Sequence, residues 1–297
     1  MNMPQLAIAL VLLAACPLHA QNFSVSNDVS NYGYLDQHSL DNINSNNFVG
    51  NEACVPTSSV NAFTYLQNIY GSIFGTNLSG STYADWMNTD QTLINLYGTQ
   101  SGSGTTPQNF ANGIQSYIAG AGFFHEISIN SMYSSAYAPI TNSFNSNSVL
   151  SLSFIEKSLN DKAALLVSID YTNGGGGHEL LVNGLSWDTT SQTGILYFVD
   201  PLDPSQGYNG TNVLGPTLQT KSDSFSIDAN GQFLLSYSQL HGDNLTNSFP
   251  NPATDTNTAT AYVRGGLSLT VVPEPSTYAL FGLGALALGV AARRRVS

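Results

Sequence analysis

The sequence predicts an α+β fold, with a helix near the N-terminus packed on an antiparallel sheet and cleavable hydrophobic segments at both ends. Three observations predict it. Apolar residues recur every three or four positions after Cys54 and again after Thr106. From His125 onward, short runs rich in Val, Ile, Leu, Tyr and Phe alternate with Gly-, Asn- and Asp-bearing turns. Uncharged apolar segments stand at both termini.

The N-terminal stretch MNMPQLAIALVLLAACPLHAQ has an apolar centre from Leu6 to Ala15 and a small residue at Ala20, which predicts a signal peptide over residues 1–20. Leu13-Ala14-Ala15-Cys16 also fits a lipoprotein box, in which Cys16 would carry the lipid. Composition agrees with export. Charged residues make up 9 % of the chain, against about 25 % in an average soluble protein. Without the tail's arginines and Glu274, four basic residues face eighteen acidic ones. Such a surface repels nucleic acid and anionic lipid, which excludes both as partners.

Val60, Phe63, Leu66, Ile69 and Tyr70 form an apolar stripe that predicts an amphipathic helix closed by Gly71. Pro56 fits its first turn, where a missing N–H costs nothing. Cys54 then sits at the helix N-terminus, where free N–H groups and the macrodipole stabilise a thiolate. Removal of the signal leaves Cys54 without an intramolecular partner, so it is either an inert core residue or a nucleophile. Its position off the Val60/Phe63/Leu66 stripe favours the nucleophile.

TPQNFANGIQSYIAGAG predicts a second helix through Phe110, Ile114, Tyr117 and Ile118. HEISI reads as a strand, SLSFIEKSLNDK as a short helix and AALLVSIDY as a buried strand. Gly174 to Gly177 then precede His178 and the strand ELLVNGLSW, and GILYFVD follows, ending at Asp200. Folding these two strands about Thr189 places His178 and Asp200 as cross-strand neighbours, within reach for a carboxylate to orient an imidazole. SFSIDANGQFLLSYS predicts a hairpin, and AYVRGGLSLTVV a last strand. No His-Glu-x-x-His, paired Cys-x-x-Cys or acidic calcium loop appears, so neither a metal site nor a cofactor is expected.

The segments CVPTSSVNAF, GGGGHELLVNGLSWD and LYFVDPLDP resemble the papain-like cysteine peptidases of the bacteriocin-processing type, from about Gln37 to Asp203. The resemblance implies a papain-like fold, with Cys54 as nucleophile, His178 as general base and acid, and Asp200 orienting His178. Val55 stands where that family usually has Gly. The family's oxyanion-hole Gln lies shortly before the cysteine, but Phe48 occupies that position here. The nearest Gln is Gln37, and Asn47 or Asn51 are alternative donors.

At the other end, Val272-Pro273-Glu274-Pro275-Ser276-Thr277, the apolar run Tyr278–Ala292 and Arg293–Arg295 resemble the PEP-CTERM tails of Gram-negative bacteria, which an exosortase removes during export. The prolines interrupt a helix, the apolar run enters lipid, and the arginines hold the end on the cytoplasmic side. A plain C-terminal membrane anchor is the alternative. The expected organisation is a signal peptide over 1–20, a peptidase-like domain over 21–270 and a sorting signal with a short transmembrane segment over 271–297. The expected protein is an exported thiol hydrolase acting on peptide or related amide bonds. Its partners would be signal peptidase, exosortase and a peptide or protein substrate. The precursor is anchored transiently in the inner membrane, and the product reaches the cell surface or extracellular matrix. The alternative is a noncatalytic matrix or surface protein that keeps the papain-like fold.

Overall fold

The computed structural model describes residues 22–37, 52–135, 140–172, 176–201, 221–238 and 258–272. Strand β1 spans Asn22–Ser26, followed by a 3-10 turn at Val29–Asn31. Helices α1 (Cys54–Ile69), α2 (Gly71–Phe74), α3 (Tyr83–Tyr97) and α4 (Pro107–Gly120) come next. Strand β2 (Ile127–Tyr133) and helix α5 (Leu152–Asn160) lead into β3 (Ala164–Tyr171), β4 (Gly177–Asp188) and β5 (Thr193–Val199). Strands β6 (Lys221–Ile227), β7 (Phe233–Ser238) and β8 (Thr258–Val271) complete the described chain.

Six antiparallel strands close on themselves in the order β4–β3–β8–β7–β6–β5, with β5 returning to pair with β4. The two longest strands carry the extra ones. Strand β1 pairs with Gly184–Asp188 on β4, beyond the reach of β3, and β2 pairs with Gly265–Val271 on β8, beyond the reach of β7. The papain-like α+β fold expected from the sequence is therefore incorrect. The molecule is a closed antiparallel barrel with added strands, and its few helices lie outside the ring. The physical reason is pairing: the runs alternate as expected, but β6, β7 and β8 link β5 back round to β3 and leave no open sheet.

Two bulges redirect the side chains of the longest strands. On β4 the register shifts between Val182 and Gly184. Leu180 and Val182 precede that shift and Leu185 and Trp187 follow it, yet all four belong to one interior cluster with Leu165, Val167, Leu196, Phe198 and Leu235. On β8 the pairing with β3 skips Arg264. Ala261 and Val263 face the interior cluster, whereas Leu267 and Leu269 join a second cluster with α1 and α4. A bulge inserts one residue and so reverses the inward-outward alternation beyond it.

Helix α1 differs from its expected amphipathic form. It is buried on every side from Cys54 to Gln67, held between the outer face of the barrel and α3 and α4. Its polar residues are accommodated by hydrogen bonds. Ser58 Oγ donates to the Glu179 carbonyl at 3.0 Å. The Asn61 side chain accepts from Leu35 N–H at 2.7 Å and donates to the Leu35 carbonyl at 3.0 Å. Thr64 Oγ1 donates within the helix to Val60. A fully enclosed helix needs no solvent face, provided each buried polar group has a partner.

Candidate thiol–imidazole–carboxylate site

Cys54 opens α1. The preceding N-cap, Ala53, offers no side-chain cap, and the Thr57 N–H closes the first turn onto the Ala53 carbonyl at 3.0 Å. The N–H groups of Cys54 and Val55 therefore lack intrahelical acceptors, as at any helix start. Cys54 is a free cysteine and buried, with 8 % of its surface exposed. Below the same turn, Thr57 Oγ1 donates to Asp90 Oδ1 at 3.2 Å, and burial pushes Asp90 well above the usual carboxylate range.

His178 stands at the start of β4, paired with Ile169 on β3. The glycine before it is required. A Cβ on Gly177 would lie 2.7 Å from Asp170 Oδ1 and 2.8 Å from the Ile169 carbonyl, so no side chain fits without shifting backbone. His178 Nε2 lies 2.8 Å from Asp200 Oδ1, where its N–H donates to the carboxylate. That leaves Nδ1 as the ring nitrogen free to face Cys54, with which His178 also interacts. Burial disfavours the imidazolium, but the Asp200 charge and hydrogen bond, reinforced by Cys54, outweigh it and raise His178 to about 10.

The pairing differs in detail from the sequence expectation. Leu181 is opposite Val199, so His178 and Asp200 are offset rather than level. They still meet because both side chains lie on the interior side, with Leu180, Val182 and Phe198, and diagonal neighbours remain within reach of long side chains. Asp200 has two further supports that the sequence did not suggest. Tyr237 OH donates to Oδ2 at 2.6 Å, and Lys221 Nζ lies 3.7 Å from the same oxygen. Burial, and then the Asp200 charge, push Tyr237 well above its usual range, so it stays a neutral donor. Lys221 reaches Asp200 across the β5–β6 pair, where it stands opposite Phe198, and Tyr237 reaches it from β7, one strand further round.

The structure brings Cys54, His178 and Asp200 together. Gln37 is buried, with its backbone N–H donating to the Pro201 carbonyl at 2.9 Å, next to Asp200 in the chain. Gln37 does not border the cleft that Cys54 and His178 line. Asn47, Asn51, Cys16 and the apolar run Tyr278–Ala292 lie outside the described residues. The cleft has a volume of about 270 Å³ and is bounded by Glu52, residues 102–105, Phe110, residues 168–170 and residues 176–179. Its outer rim is fixed by Glu52 Oε1, which accepts from Gly102 N–H at 3.0 Å. Glu179 and Ser168 on its inner side were also not singled out from sequence. Ser168 Oγ donates to Glu179 Oε2 and shares a 2.8 Å hydrogen bond with Tyr133 OH. Among the described residues no three His, Cys, Asp or Glu side chains are grouped to hold a metal ion. None of the described helices is long and apolar enough to cross a membrane.

Chemically, a thiol, an imidazole and a buried carboxylate in series beside an open cleft can carry out acyl transfer. Comparison with known proteins identifies the C-terminus. Residues 271–295 match the family described as the PEP-CTERM protein-sorting motif. No curated protein matches the chain. The motif starts at the last residue of β8, so it follows directly on the barrel. The chain thus ends in a PEP-CTERM sorting motif, which implies an exported protein, anchored transiently in a membrane and processed by an exosortase.

Proposed function

We propose that this protein is an exported thiol hydrolase that cleaves peptide or related amide bonds. The observation that carries the reading is the buried 2.8 Å contact of His178 with Asp200, beside Cys54 at the mouth of a cleft. Cys54 sulfur attacks the substrate carbonyl carbon, forming a C–S bond. His178 imidazolium gives its proton to the leaving nitrogen as the C–N bond breaks. Water then attacks the thioester, losing a proton to His178, and the carboxylic acid departs as Cys54 is regenerated. Asp200 holds the ring orientation and balances the imidazolium charge. The first-turn N–H groups of α1 are suited to receive the oxyanion.

The processing scheme belongs to the same proposal. Residues 1–20 are removed as a signal peptide, residues 21–270 form the exported body, and residues 271–297 are the sorting signal. Cleavage within Pro273–Thr277 would leave every described strand intact, since β8 ends at Val271. The body then reaches the cell surface or extracellular matrix. Mass spectrometry of secreted protein should find a C-terminus near Pro273–Thr277. Secreted protein that retains Ser297 would remove the processing scheme.

Hydrolysis is tested by incubating the secreted protein, wild type and Cys54→Ala, with a peptide library. New termini that appear with wild type and are absent with Cys54→Ala support the proposal. Identical digests from the two proteins would favour a noncatalytic surface protein, a role also compatible with the sorting tail and the low charge content.

A further inference from the structure

One buried carboxyl group beside the cleft is left unexplained by the triad. Glu179 follows His178 on β4 and is 1 % exposed, yet it lines the same cleft as Cys54. Its Oε2 accepts from Ser168 Oγ, while Oε1 has no hydrogen-bond partner among the described residues. Burying a carboxyl group with one of its two oxygens unmatched is costly, and such groups mark places where a partner is missing. Burial raises Glu179 to about 8, only partly offset by Ser168 and by the neighbouring His178.

The surroundings specify the partner. Glu52 and Asp170 also line the cleft, and no described lining residue is a lysine or arginine. Each of those two carboxylates is engaged: Glu52 by Gly102 N–H and Asp170 by Arg264, whose Nε lies 3.1 Å away. Glu179 Oε1 is thus a buried acceptor without a hydrogen-bond partner, beside a cleft whose lining includes two further carboxyl groups, Glu52 and Asp170. A guanidinium prefers to engage both oxygens of a carboxylate, and here Ser168 holds the second. An ammonium is a compact donor that needs only one.

We infer that the cleft beside Cys54 takes a lysine-like alkylammonium side chain of the substrate, with Glu179 Oε1 as its acceptor. This specificity rests on the thiol-hydrolase reading above. Binding of the cation supplies both the missing hydrogen bond and the missing countercharge, so Glu179 ionises as the substrate enters and releases its proton to solvent. Glu179 is a specificity-determining residue, distinct from the bond-breaking Cys54 and His178.

The test uses the secreted protein and two thiol-directed peptidyl acyloxymethyl ketones. One carries lysine, and the other norleucine, at either of the two positions before the ketone. Norleucine keeps the four-carbon chain and removes only the charge. The lysine probe should label Cys54 at least about 10-fold faster, and Glu179→Gln should abolish that difference. In wild type, n-butylammonium should protect Cys54 from alkylation where n-butanol does not, a readout independent of how the variant folds. Labelling by both probes at equal rates, or faster labelling by norleucine, overturns the lysine subsite and leaves the thiol reading standing. Labelling by neither probe, together with iodoacetamide reactivity that is unchanged in His178→Ala, removes the thiol reading and the subsite with it.

Discussion

Replacing Glu179 by glutamine should change how stability depends on pH, and the size of the effect follows from where the carboxyl group sits. The side chain is enclosed between β3, β4 and α1, with Ser168 as its one hydroxyl donor and His178 as its charged neighbour. Its folded-state value of about 8 lies above the 4.5 of the ordinary glutamate. The folded state therefore binds more protons than the unfolded state between those values. The stability that Glu179 contributes is full below about 4.5 and is lost as pH rises through about 8. One proton of difference corresponds to about 1.4 kcal/mol per pH unit. Glutamine is isosteric and does not titrate, so subtraction of its profile removes every other group that titrates alike in both proteins. Urea unfolding at pH 5, 6, 7 and 8 reads the effect. With a denaturant slope of about 1–3 kcal/mol per molar, the wild-type midpoint should fall relative to Glu179→Gln by roughly 0.5–1.4 M per pH unit. Parallel profiles for the two proteins would refute the claim that Glu179 is buried uncharged.

Three further outcomes follow from the same geometry. Asp200→Asn removes the charge that holds His178 at about 10 and leaves burial to favour neutral imidazole. Turnover should fall by about 10²-fold or more, and NMR should show His178 titrating at lower pH. Tyr237→Phe deletes a hydrogen bond to a buried carboxylate without changing ring volume, so thermal or urea unfolding should show a loss of about 1.5–3 kcal/mol. Unchanged stability would mean that Asp200 is satisfied without it. Gly177→Ala forces a methyl group against Asp170 and the Ile169 carbonyl. The expected cost is about 1–3 kcal/mol, with slower labelling of Cys54 because the start of β4 carries His178.

The individual elements could be read from the sequence to very different degrees. The apolar runs AALLVSIDY and GILYFVD and the Ala-Asn-Gly hairpin mark β3, β5, β6 and β7, and the Pro56 turn marks the start of α1. Helix α3 escaped notice because Asn88, Thr89, Asp90, Gln91 and Thr92 dilute its apolar face. Its signals were present all the same: a Thr82–Asp85 capping box and a left-handed Gly98 at its end. Strand β1 is short and half-exposed, with little periodicity to detect. The fold class failed for a different reason. Periodicity reports which face of a strand is buried, whereas closure depends on which strands pair, and two bulges reverse the alternation within β4 and β8. The same limit applies to the site. Cys54, His178 and Asp200 each carry a local signal, a helix start, a glycine run and a strand end. Tyr237 and Lys221 carry none, because their contact with Asp200 depends on which strands come to lie beside β5, and residues 202–220 separate β5 from β6 in the sequence.

The claim that Cys54 and His178 act as a reactive pair is tested most directly by the rate of Cys54 alkylation against pH, in wild type and His178→Ala. Cys16 and Cys54 are the two cysteines of the chain, so in a Cys16→Ser background iodoacetamide incorporation reads Cys54 alone. An imidazolium held by Asp200 beside the sulfur should let wild type keep reacting at acidic pH, below the range of a free thiol at about 8.5. His178→Ala should lose that acidic limb and react only as the solution approaches the free-thiol range. Identical profiles for the two proteins, both rising near 8.5, would contradict the account and reduce Cys54 to a core residue at the start of a buried helix.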